Sequence, residues 1–88
     1  MKMIMVIVED HFSDATSNAL INANFRVTRL ASTGGFLREG ATTLMVGVED
    51  EQLESALELI REQIPASEDP DQVRATIYVL NVKDYRRV

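Results

Sequence analysis

All four glycines of the 88-residue sequence fall between Gly34 and Gly47, and three of its nine basic side chains, Arg26, Arg29 and Arg38, lie in or beside that window. Residues 24–47 carry a formal charge of +2, from three arginines and Glu39, in a chain of net charge −5. Glycine lets backbone N–H groups turn toward a ligand with no Cβ in the way. Arginine meets a phosphate with a planar, two-pronged fork of donors that lysine lacks. The segment therefore holds the ingredients of an anion or nucleotide site. It is not a P-loop, because no Gly-Lys-Ser/Thr closes it.

Other chemistry is poorly provided for. His11 stands beside Glu9 and Asp10, where an imidazole among carboxylates could bind a metal or move protons. A metal site wants several nitrogen or sulfur ligands, however, and the chain has one histidine and no cysteine. Ser13, Ser17, Ser32, Ser55 and Ser67 have no histidine at a spacing that would make a nucleophile and base. Neither an enzymatic activity nor a cofactor is expected.

The elements that must position the glycine and arginine cluster can be read in order. Met3 to Val8 is a continuous apolar run of strand length, as expected of a central strand covered on both faces. Phe12, Ala15, Ala19, Leu20 and Ala23 recur at helical spacing, with Asp10 or Ser13 available as N-cap. Arg26 to Ser32 reads as a second strand, Gly34 to Gly40 as a glycine-bearing loop and Thr42 to Val48 as a third strand. Asp50 can cap a second helix with Leu53, Leu57, Ile60 and Ile64 on its apolar side and Glu54, Glu58 and Glu62 in solvent. Pro65 to Gln72 is a polar loop, Val73 to Val82 a fourth strand and Lys83 to Val88 a tail. The order βαββαβ is that of an α+β, ferredoxin-like fold, an antiparallel sheet with both helices on one face. One domain over residues 1–88 is expected.

Composition narrows the partners. The chain is 45 % hydrophobic and 26 % charged, as in folded globular proteins. A pI near 4.7 disfavours general binding to nucleic acid or to anionic membranes. The apolar start is too short to span a bilayer and runs at once into Glu9 and Asp10, so a cytoplasmic address is expected. A chain this short, without disulfides, gains from burying more surface against copies of itself.

The run Asn24-Phe25-Arg26-x-Thr28-x-Leu30-Ala31-x-Thr33-Gly34-Gly35-Phe36-Leu37-Arg38-x-Gly40-x-Thr42-Thr43 closely resembles the signature of the PII-like cyclic di-AMP receptor proteins of bacteria. Ala75-Thr76-Ile77-Tyr78-Val79 is similar to that family's last strand. The resemblance implies a homotrimer of ferredoxin-like subunits that binds cyclic di-AMP, or another adenine nucleotide, in clefts between neighbours and signals to a protein partner whose identity is open. It implies polar ligand contacts from Asn24, Arg26 and Thr28, which strand alternation would place on one face. Gly35, Phe36 and Leu37 would offer backbone groups and an apolar surface to adenine, with Phe36 the stacking platform. Gly47 would let the ligand approach the sheet. Three departures stand out: the loop at residues 65–72 is short where cyclic di-AMP binders usually have a long one, Ala41 replaces a common asparagine, and Arg87 stands near a C-terminal position usually held by glutamine, where its charge could compensate.

Plainer readings stand beside these. Arg26 could pair with a carboxylate of the second helix or of a neighbouring chain, Phe36 could belong to a core or a subunit interface, and Thr42 and Thr43 could be simple strand formers. At the level of function, the alternatives are a trimeric interaction scaffold without a ligand and a metal-binding trimer like the cation-tolerance proteins.

Overall fold

The apolar run at the start of the chain forms strand β1 (Lys2–Glu9), followed by helix α1 (Asp10–Asn22), strands β2 (Arg26–Leu30) and β3 (Ala41–Val48), helix α2 (Leu53–Gln63) and strand β4 (Ala75–Asn81). This computed structural model describes residues 1–30, 40–69 and 71–88. The strands form one sheet in the order β2-β3-β1-β4, with every neighbouring pair antiparallel. This is the expected ferredoxin-like α+β architecture.

Both helices lie on one face of the sheet. Ile4, Val6 and Val8 of β1 and Leu44, Val46 and Val48 of β3 are buried there with Leu20 of α1 and Ala56, Leu57 and Ile60 of α2. The other face is open in the single chain. Met3, Met5 and Ile7 alternate with the core residues of β1 and are only half-buried, so β1 is central but not covered on both faces as its apolar run had implied. Tyr78 and Leu80 of β4, on the same open face, are exposed.

Local chemistry corrects three other expectations. Ala15 of α1 is exposed, and the helix buries Ser13, Thr16 and Leu20 instead. The two hydroxyls can be buried because each donates to a carbonyl one turn back, Ser13 to Asp10 and Thr16 to Phe12, both at 2.8 Å. Neither Asp10 nor Ser13 caps the helix. Asp10 begins it, and its carboxylate accepts the Thr42 hydroxyl at 2.6 Å while its amide donates to the Gly40 carbonyl at 2.8 Å. Asp50 does not cap α2 either. It opens a 3-10 turn (Asp50–Gln52) ahead of the helix, where Gln52 accepts from the Glu49 amide at 3.0 Å, and its carboxylate pairs with the N-terminal amine at 3.2 Å.

The short loop after α2 is closed by Arg74. Its guanidinium donates to the Pro65 carbonyl at 2.7 Å and lies 5.8 Å from the centre of the Phe12 ring, tying α2, the loop and α1 together.

Candidate ligand-binding site

The strand register builds the site. Arg26 lies opposite Gly47 and Gly47 opposite Met3, while Thr28 lies opposite Met45 and Met45 opposite Met5. Residues paired across strands share a face, so Arg26, Thr28, Met45, Gly47 and Met3 all lie on the open face. The alternate residues of β2 point the other way. Arg29 reaches α1, donating to Asp14 at 2.6 Å and to Ser13 at 3.2 Å.

Asn24 reaches this region by a different route from the one alternation implied. It precedes β2 and sits at φ 69°, the left-handed region that asparagine tolerates better than most residues. Its amide donates to the Ile21 carbonyl at 2.9 Å, and the Phe25 amide donates to the Leu20 carbonyl at 3.0 Å. Those two bonds are a Schellman closure of α1, with Asn24 as the left-handed residue and Phe25 partly buried against the core. The turn delivers the Asn24 side chain to the end of the strand that bears Arg26.

Together these elements line a cleft of about 550 Å³. Asn24, Arg26, Thr28 and Gly47 all border it, with Phe25 and the methionines Met1, Met3 and Met45 as apolar wall. Gln52 and the C-terminal residues Val82, Asp84 and Tyr85 complete the rim. A Cβ built on Gly47 would meet only the Met1 methyl, at 3.3 Å, so the missing side chain leaves the cleft floor low.

The electrostatics separate the arginines. Arg29 is committed to Asp14 and Ser13, whereas Arg26 is exposed and makes no hydrogen bond or ion pair among the described residues. Asp84, the carboxylate on the rim, pairs with Arg86 at 3.1 Å. A guanidinium in a cleft with its donors unused is ready for an anion. Asn24, Thr28 and Gln52 add neutral donors and acceptors, and the methionine wall is soft and apolar, suited to a flat aromatic base.

The remaining site residues are distributed as follows. Gly35, Phe36 and Leu37 lie outside the described residues, as does Arg38. Arg87 is in the exposed tail and does not border the cleft, although Asp84 and Tyr85 nearby do. Sequence reasoning passed over that C-terminal wall, and over Met1, Met3 and Met45, because a tail has no periodicity and strand methionines look like ordinary core. His11 is exposed and stacks at 4.1 Å on Phe12, with its Nε2 3.6 Å from Glu9. Among the described residues no group of three or more His, Cys, Asp or Glu side chains could hold a metal ion. No helix among them is long and apolar enough to cross a membrane.

The cyclic-di-AMP receptor family model matches residues 1–73, which include β1 to α2 and every strand residue of the cleft. The chain belongs to the cyclic-di-AMP receptor family. A solved structure of a functionally unknown protein from Pediococcus pentosaceus is similar at 34% identity and a TM-score of 0.76, covering 99% of this chain and 96% of that one. Coverage that complete in both directions means that the two chains are close in length. Membership in a receptor family makes this a binding protein rather than a catalyst.

Proposed function

We propose that the cleft binds cyclic di-AMP and that the chain acts as a homotrimer, with each cleft completed at the boundary between neighbouring subunits. The carrying observation is the guanidinium of Arg26, without a partner among the described residues and lining one cleft with Asn24, Thr28 and Gly47. It meets the ligand's phosphate, while the methionine wall takes an adenine. Family membership supports the choice of ligand. The trimer is supported by the open sheet face, where Met3, Met5, Ile7, Met45, Tyr78 and Leu80 form an apolar surface that the single chain leaves partly or wholly exposed. Ligand occupancy then passes to a protein partner in the cytoplasm. With a short loop at residues 65–72 the ligand keeps one side in water, and Arg87 adds charge from the tail.

The test is calorimetry of cyclic di-AMP with Arg26→Ala, alongside light scattering. The variant should lose about 1.5–3 kcal/mol of binding, the usual size for hydrogen bonds to a charged group, and scatter as the same trimer as its parent. Unchanged affinity, or failure to assemble, would make Arg26 structural.

A further inference from the structure

We propose that Tyr85 is a base-stacking wall of the cleft, a role that rests on the nucleotide reading above and extends it to a residue beyond the stretch that carries the family match. Tyr85 is one of only two tyrosines in a chain without tryptophan. It borders the same cleft as Arg26, Thr28 and Gly47, and its side chain is half in solvent, at 56% exposure. An aromatic ring left half-exposed on the rim of a cleft is poorly used as core and well placed as a platform.

The tail that carries Tyr85 is anchored at its start, beside the cleft. The Val82 amide donates to the Met1 carbonyl at 3.1 Å, which fastens the start of the tail beside β1. Asp84 and Arg86, the neighbours of Tyr85 on either side, pair with each other at 3.1 Å. Phe25 and the methionines Met1, Met3 and Met45 line the same cleft, and the floor at Gly47 has no side chain. A purine entering the cleft finds a π surface and polarizable thioethers, with the Arg26 guanidinium in the same cleft for its phosphate. The phenol hydroxyl has no hydrogen-bond partner among the described residues, so nothing there holds the ring in place against a ligand.

Alanine substitution of a stacking aromatic weakens binding by about five- to a hundredfold per base. Tyr85→Ala should therefore weaken cyclic di-AMP binding by about that factor, and Tyr85→Phe, which keeps the ring, should stay within about twofold of the parent. In a Tyr78→Phe background Tyr85 is the sole tyrosine, and its ring protons should move upfield in NMR spectra as cyclic di-AMP is added, the signature of a stacked purine. Light scattering on each variant shows that assembly is intact. If Tyr85→Ala binds as tightly as the parent, or the ring signals stay in place while calorimetry shows binding, the stacking role is overturned and the nucleotide reading survives. If the parent itself gives neither heat nor shift with cyclic di-AMP, both fall together.

Discussion

Asn24 has two possible reasons for being asparagine, and a pair of substitutions separates them. Its backbone is left-handed, at φ 69°, in the turn that ends α1. Its side chain borders the cleft and makes no hydrogen bond to the described residues. Asn24→Ala removes the amide and places an ordinary Cβ in a region that costs an L-residue about 1–2 kcal/mol. Asparagine already bears part of that strain, so the expected loss is about 1 kcal/mol, or about 4–8 °C in Tm for a domain of this size. Asn24→Gly removes the same amide but suits the left-handed turn. Its relief of strain offsets the about 0.4–1 kcal/mol lost through a looser unfolded chain, so its stability should stay near the parent's. If the amide contacts the ligand, both variants lose one neutral hydrogen bond, worth about 0.5–1.5 kcal/mol, and bind about two- to tenfold more weakly. The assay is thermal unfolding at matched protein concentration, since assembly makes Tm concentration-dependent, with calorimetry on the same samples. Equal affinity of Asn24→Gly and parent would refute the ligand role and leave Asn24 as a helix terminator.

Three further outcomes follow from the geometry. Gly47→Val should leave unfolding stability within about 0.5 kcal/mol of the parent, because only the flexible Met1 end stands near a new Cβ, yet it should block cyclic di-AMP in a titration by filling the cleft floor. Asp10→Ala strips the buried Thr42 hydroxyl of its acceptor and should cost about 1–3 kcal/mol in denaturant unfolding, while Asp10→Asn, which keeps an acceptor oxygen, should recover most of it. Thr43→Val should be neutral or stabilising by the same measurement, because the buried Thr43 hydroxyl has no partner among the described residues and valine has its shape; a loss above about 1 kcal/mol would mean that the hydroxyl is satisfied after all.

What the sequence disclosed follows the strength of each local signal. The apolar run of β1 and the Leu53, Leu57, Ile60 spacing of α2 located both elements, although only alternate residues of the β1 run are buried in the single chain. Arg26, Thr28 and Gly47 were singled out by the family resemblance, and the strand register places them on one face of the sheet. Asn24 was also named by the resemblance, and its place in the turn before β2 was missed because alternation had counted it into the strand. The buried side of α1 was misread because Ser13 and Thr16 count as polar in a periodicity, whereas their hydroxyls are satisfied within the helix. The C-terminal wall beyond the fourth strand had no local signal. Val82 follows the β1–β4 ladder and bonds to Met1, which carries Asp84 and Tyr85 to the cleft by a long-range pairing that no local pattern encodes.

The central claim, that cyclic di-AMP is held through Arg26 in a cleft left partly open by the short loop, is tested most directly by calorimetric titration of the trimeric protein at low and moderate ionic strength. Water-screened phosphate contacts weaken as the Debye length shrinks, from about 30 Å at 0.01 M salt to about 8 Å at 0.15 M. The expected result is one cyclic di-AMP per chain, bound measurably but weakly, with affinity falling clearly as salt is added. No heat at millimolar ligand, in protein shown to be trimeric, would contradict it and leave an interaction scaffold without a nucleotide.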